Sequence, residues 1–208
     1  MDAFNIDDVW KGSITYSESL IFQEELKKTA HKKKQAFFLG FECATCITLG
    51  LRGKKEIDLK ASLAEYKKQK IEVVSIKRGG QATLHSPGQL VIYPIMDLSQ
   101  WKVRPRDFLG ILERVTKQVL KHYNVTAKKG EDLAGLFTTQ GKIAFFGIHI
   151  SNGVSQHGLS INIQNDLKLF HLINSCGVSK RSHDSLKEQG INTSVKEVFS
   201  IWCQIAKN

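Results

Sequence analysis

Between Leu133 and Ile163 three strand-like runs, LAGLFTT, KIAFFGIHIS and SQHGLSINI, follow one another with no helical pattern between them. Runs spaced that closely read as antiparallel neighbours, because a parallel partner needs a longer crossover. Earlier strand-like stretches at 36–42, 46–51, 71–77 (IEVVSIK) and 89–98 (QLVIYPIMDL) are interrupted by helical patterns only irregularly. That order predicts an α/β (α+β) fold, a mixed and largely antiparallel sheet flanked by helices, rather than a doubly wound βαβ array.

The helices announce their own ends. Thr15 and Glu18 have capping-box spacing and open a helix over about 16–33, with Phe22, Leu26 and Ala30 on its apolar face and lysines opposite. A short helical pattern covers about 60–69. Pro105 suits a first turn, ahead of Phe108, Leu112, Val115 and Val119 at helical spacing. A short helix follows Asp166. Ser194 and Glu197 cap a last helix over about 195–206, whose buried stripe is Val195, Val198, Phe199, Trp202, Ile205 and Ala206.

With no repeat, no proline-rich linker and only three prolines, residues 1–208 read as a single domain large enough for one substantial core. No apolar stretch reaches membrane-spanning length and the first residues lack a secretory pattern, so a soluble cytoplasmic protein is expected. Thirty Lys and Arg against 20 Asp and Glu give a net charge of +10 and a pI near 9.4, which favours acidic partners. Nucleic acid is one such partner. Yet the lysines are scattered over helix faces without interleaved aromatics, and an acidic carrier protein fits the charge equally well.

Four cysteines in a chain of this kind read as thiols rather than a disulfide framework. Cys43 and Cys46 form one C-x-x-C between strand-like flanks. A pair at i and i+3 in a strand points to opposite faces, so the sulfurs diverge unless a turn intervenes, and no second ligand pair supports a metal.

Three segments can carry chemistry. The first is Arg78-Gly79-Gly80-Gln81-Ala82-Thr83-Leu84-His85-Ser86-Pro87-Gly88-Gln89, where paired glycines permit a close backbone approach to an acyl carbonyl or a phosphate. In the second, Lys142 opens an otherwise apolar strand and His157-Gly158 heads the next; an exposed edge lysine and a structural histidine are the plain alternatives. The third, Leu172-Ile173-Asn174-Ser175-Cys176-Gly177-Val178, sets a cysteine at a turn after a short helix. Cysteine is just as often a small buried residue.

RGGQATLHSPGQLVIYPIMDL, GKIAFFGIHISNGVSQHGLSINI and LINSCG together resemble, in order and spacing, the three signature blocks of the lipoyl(octanoyl) transferases, over about Tyr16 to Val178. The resemblance implies a fold similar to the catalytic core of biotin and lipoate protein ligases. It implies a catalytic dyad of Cys176 and Lys142. It also carries over substrate contacts to Arg78, Gly79, Gly80, Gln81, Ala82, Thr83, Leu84 and His85, to Phe145, Phe146 and Gly147, and to Gly158, Leu159 and Ser160. The chain departs from the family at Cys43, where a histidine is common, at Ser86, where a glycine is common, and at Ala134-Gly135-Leu136-Phe137, which lacks the usual proline and aromatic. The first two departures bear on pocket shape and chain length.

The activity so implied transfers octanoyl from octanoyl-acyl carrier protein to a lysine of lipoyl domains, through an acyl-Cys176 thioester, with no cofactor and no metal. Acceptors are the lipoyl domains of 2-oxoacid dehydrogenase E2 subunits and the glycine cleavage H protein; nucleic acid and membrane are not implied. Phe145, Phe146, Leu159 and Ile161 are expected to line an acyl channel, with oxyanion donors near Gly147 or Gly177. The competing readings are an ATP-using lipoate or biotin ligase of the same fold and a basic nucleic-acid-binding protein.

Overall fold

The structure is a computed structural model that describes residues 5–32, 34–130, 135–174 and 182–208. In chain order the elements are β1 (Asn5–Ile14), α1 (Tyr16–Lys32), β2 (Gln35–Cys43), β3 (Cys46–Leu49), α2 (Lys55–Asp58), α3 (Leu63–Lys68), β4 (Glu72–Ser75), β5 (Ala82–His85) and β6 (Gln89–Ile95). There follow α4 (Pro105–His122), β7 (Lys128–Lys129), β8 (Gly135–Phe137), β9 (Lys142–Ser151), β10 (Val154–Asn162), a 3-10 helix (Leu167–Leu172) and α5 (Val195–Lys207). Among the described residues they form a seven-stranded sheet, ordered β1-β2-β6-β10-β9-β8-β7, and a three-stranded sheet, β4-β3-β5.

The large sheet is antiparallel except at one edge, where β1 runs parallel to β2. Its connection is α1, so the chain begins with one βαβ crossover that the sequence pattern did not reveal. Strand β1 reads NIDDVWKGSI, half exposed, with a register shift between Trp10 and Ser13. In the small sheet β3 and β4 are parallel, joined through α2 and α3.

Alternation along β2 and β6 assigns the two faces. Phe38, Leu90 and Ile92 face the core shared with α4 and α5, where Phe108, Leu112, Val119, Phe199 and Trp202 pack. Phe37, Leu39, Phe41, Val91, Tyr93 and Ile95 face α1. Because both faces are covered, β6 and β10 are buried throughout; β6 accordingly reads as a nearly continuous apolar run, whereas β10 also buries polar Ser155, Gln156, His157, Ser160 and Asn162. A third cluster joins Ile47, Leu84, Phe145, Phe170 and Ile173 between the small sheet and the 3-10 helix.

Capping follows the expected chemistry. Thr15 and Glu18 exchange bonds (Thr15 N to Glu18 Oε2 2.7 Å, Glu18 N to Thr15 Oγ1 3.2 Å), and Ser62 with Glu65 caps α3 the same way. Ser194 accepts from Glu197 N at the head of α5. The structure refines two expectations. The fully buried residues of α1 are Tyr16, Ser19, Gln23 and Ala30, with Phe22 and Leu26 only partly covered. The reason is that Gln23 Oε1 accepts the backbone N–H of His157 at 2.6 Å, a donor left over where His157 turns to φ +53 inside β10. And the Cys43 and Cys46 sulfurs do not diverge: a bend at Thr45 separates β2 from β3 and leaves them 3.6 Å apart, both buried free thiols. Among the described residues no helix is long and apolar enough to cross a membrane.

Candidate active site

Strands β9 and β10 of the large sheet, strand β5 of the small one and the start of α1 enclose a cleft of about 670 Å³, part of it open to solvent. Its floor is bare backbone where Gly147 of β9 sits opposite Gly158 of β10. Neither tolerates a side chain. A Cβ on Gly158 would lie 2.2 Å from the carbonyl oxygen of Ile92, and one on Gly147 would lie 2.9 Å from Arg78 Cδ. The glycine turn reaches over this floor, with Gly79 N donating to Ile148 O at 3.0 Å. Arg78, itself buried, holds the turn to β3: Nη2 donates to Thr48 O at 2.7 Å, Nε to Thr48 Oγ1 at 3.1 Å, and Nη1 to Gly79 O at 2.9 Å.

Lys142 enters the wall from β9. It is 2% exposed, so the edge-lysine alternative does not apply. Its edge is covered on one side by β8 and on the other by the chain at Ser182–Asp184, where Lys142 N donates to Ser182 O at 3.1 Å and Asp184 N to Lys142 O at 3.0 Å. Nζ stands 4.6 Å from the Phe145 ring centroid and 5.6 Å from that of Phe137, within cation–π range. Phe145 in turn stacks on Phe170 at 5.3 Å, and the His183 ring lies 3.9 Å from Phe170. Gly135 of β8 makes the room: a Cβ there would come within 2.3 Å of Lys142 Cε.

Backbone carbonyls fix a buried polar relay beside the cleft. Asn162 Nδ2 donates to Asp184 O at 2.9 Å, which leaves Asn162 Oδ1 to accept from Gln89 Nε2 at 2.8 Å. Gln89 Oε1 therefore faces His85 Nδ1 at 2.7 Å, and since a carboxamide oxygen only accepts, the proton sits on Nδ1. Burial, reinforced by the nearby Arg78 guanidinium and opposed by the Gln89 bond, lowers the His85 pKa to about 4, so the ring is neutral with its lone pair on Nε2. Burial, then Arg78, lowers His157 to about 3. Burial raises the Tyr16 phenol well above its usual range. The cleft thus presents neutral imidazoles and hydroxyls, with the Arg78 guanidinium and the Lys142 amine in its wall. Among the described residues no group of His, Cys, Asp or Glu is arranged to hold a metal.

Comparison with known proteins sets this site in a family. The lipoyl protein ligase A/B catalytic domain model matches residues 15–205. The chain belongs to that family. Relatives named octanoyltransferase include one from Caldanaerobacter subterraneus subsp. tengcongensis, 30% identical over 90% of this chain and 82% of that protein. One from Thermoanaerobacter sp. is 34% identical over 73% and 66%, and one from Xanthomonas euvesicatoria is 39% identical over 65% and 56%, so this chain spans less than two thirds of the last two. Lipoate-protein ligase A bound with ATP shares the fold with TM-score 0.79 at 13% identity, covering 97% of this chain and 83% of that one. A bi-partite lipoate protein ligase from Thermoplasma acidophilum does so with TM-score 0.72 at 12% identity, covering 97% and 81%. The mixed sheet anticipated for the ligase and transferase family is therefore present.

Of the residues assigned to this family's blocks, Arg78, Gly80, Gln81, Ala82, Thr83 and His85 line the cleft, as do Lys142, Phe145, Phe146, Gly147, Gly158, Leu159 and Ser160. Gly79 and Leu84 do not. Leu84 packs into the core under β5, and the block from 78 to 89, read as a turn, in fact contains that strand. Ile161, expected in the channel, is fully buried in the core against α4 and α5. Cys176 and Gly177 lie outside the described residues. Tyr16, Arg52, Val91 and Tyr93 also line the cleft and were not anticipated; His157 was noticed only as a structural histidine.

Proposed function

We propose that this enzyme transfers an octanoyl group from octanoyl-acyl carrier protein to a lysine of a lipoyl domain, with the lipoyl domains of 2-oxoacid dehydrogenase E2 subunits and the glycine cleavage H protein as acceptors. The observation that carries the reading is the Lys142 amine held in the wall of the cleft, on a strand tied directly to Ser182 and Asp184. The relatives named octanoyltransferase support the acyl group chosen.

In the first half-reaction the Cys176 thiolate attacks the carrier thioester; the C–S bond to the carrier breaks, and the carrier thiolate takes a proton from Lys142. A free thiol with pKa near 8.5 is only about 3% ionised at pH 7, and a cation that lowers it by about two units raises that to roughly three quarters. In the second, an acceptor lysine amine attacks the acyl-Cys176 carbonyl, neutral Lys142 accepts the amine's proton, and the thiolate of Cys176 departs. The oxyanion forms over the cleft floor at Gly147 and Gly158, where no side chain covers the backbone. The incoming thioester supplies the activation, so no nucleotide enters.

Intact-mass analysis after incubation with octanoyl-carrier protein tests the reading. The wild type acquires one octanoyl adduct labile to hydroxylamine, Cys176→Ser acquires no labile adduct, and Lys142→Ala loads at least tenfold more slowly. Modification that requires ATP and free octanoate instead would establish a ligase.

A further inference from the structure

Of the four large hydrophobic residues exposed among the described residues, three fall within one 13-residue segment: Leu51 (67% exposed), Ile57 (51%) and Leu63 (49%). The same segment exposes Arg52, Lys54, Lys55 and Lys60, and Lys77 is exposed on the adjoining turn. None of these five cations makes an ion pair among the described residues. Of the two carboxylates here, Asp58 is buried, with Oδ2 accepting from Lys54 N at 2.7 Å, so only Glu56 opposes the cations at the surface.

This segment is fixed both to the glycine turn and to the residues that precede Cys176 in the sequence. At its start Leu51 N donates to Arg78 O at 2.9 Å and Arg52 N to Gly80 O at 3.1 Å, which joins it to the glycine turn over the cleft; Arg52 lines the cleft itself. At its middle Asn174 N donates to Asp58 O at 2.8 Å and Lys60 N to Leu172 O at 3.2 Å. Asn174 is two positions before Cys176. A basic rim carrying apolar side chains therefore borders the cleft between the glycine turn and Asn174.

We infer that residues 51–63 dock the acyl donor: a small acidic protein whose thioester ends a phosphodiester-linked prosthetic arm. This rests on the transferase reading above. Unpaired cations attract an acidic surface over several ångströms, while Leu51, Ile57 and Leu63 bury apolar area once it arrives. Arg52, on the cleft, is placed to meet the arm's phosphodiester as the acyl chain enters.

The test separates donor docking from chemistry. The triple variant Lys54→Glu/Lys55→Glu/Lys60→Glu is assayed for loading from octanoyl-carrier protein, for loading from octanoyl-N-acetylcysteamine, and, once preloaded, for transfer to a lipoyl domain. The expected result is a fall of at least tenfold in kcat/KM for the carrier, mostly through KM, shrinking at 0.5 M salt, with the small thioester and the second transfer unchanged. The neutral triple Lys54→Gln/Lys55→Gln/Lys60→Gln shows the same selectivity in smaller measure. Carrier loading unchanged in both variants, or a loss confined to the second transfer, overturns the docking surface. A wild type that takes octanoyl from the small thioester but never from the carrier overturns the donor assignment and the surface with it, and one that loads from neither overturns the transferase reading.

Discussion

Gly135 shows how closely the lysine's place is prescribed. A Cβ there would stand 2.3 Å from Lys142 Cε and 3.0 Å from both Nζ and the carbonyl oxygen of Ala144, and the carbonyl cannot give way. Gly135→Ala should therefore displace the amine rather than the strand. The expected outcome is acyl loading at least tenfold slower with stability lowered by only about 1–3 kcal/mol, the usual range for overpacking, read by intact mass and urea denaturation. Loading at the wild-type rate would mean that the amine's position does not matter. The same residue shows where the sequence was mute. A lysine opening an apolar strand looks alike at an exposed edge and in a buried wall, and the difference is made by His183 and its neighbours, about 40 positions away, closing over it. Tyr16, Arg52, Val91 and Tyr93 escaped notice for a similar reason: each comes from an element outside the glycine turn or the hairpin, and only the packing of two sheets brings them together.

At the level of elements, periodicity served best where one face alone is buried. Helices α4 and α5 carry apolar stripes at 3.6-residue spacing; α4 opens at Pro105 as expected, and α5 lies within a residue of its expected ends. Their contact is specific: the Trp202 indole meets the Phe38 ring edge-on at 5.0 Å and its Nε1 donates to Thr116 Oγ1 at 3.2 Å. Trp202→Ala removes a fully buried side chain and strands that hydroxyl, so a loss of about 3–5 kcal/mol is expected in urea denaturation, with α1 and the cleft left in place. Strand β1 was missed because two aspartates, a lysine and a glycine interrupt its alternation, and its stability comes from parallel pairing with β2 rather than from its own composition. On α1 the signal was present but unweighted: Ser19 and Gln23 are polar residues on the helix's buried face, which is what a helix needs when it must satisfy a backbone donor in the sheet beneath it.

The molecule as a whole inherits an acid sensitivity from its cleft. His85 and His157 sit between the sheets, and burial, aided by Arg78, depresses their pKa values to about 4 and about 3. A histidine whose folded pKa lies below its unfolded value of about 6.5 binds its proton more readily when the chain is unfolded. Its neutral form therefore fits the fold at full stability above about pH 6.5, and stability is lost as pH falls from there toward about 4 for His85 and about 3 for His157. Each contributes a loss of at most about 2 kcal/mol by pH 5, at 1.36 kcal/mol per pH unit, a substantial part of the roughly 5–15 kcal/mol that holds a domain together. Carboxylates such as Asp97, whose pKa is lowered by bonds from Ser99, Gln100 and His31 despite the opposing effect of burial, lose their stabilisation only at lower pH. The window from 6.5 to 5 thus isolates the imidazoles. Urea midpoints measured at pH 7.5 and 5 should fall steeply for the wild type and less steeply for His157→Asn, since asparagine accepts the positive φ at that position and has no proton to gain. If the two proteins lose stability equally, the imidazole is not held neutral by burial beside Arg78, and the description of the cleft as lined by neutral imidazoles is wrong.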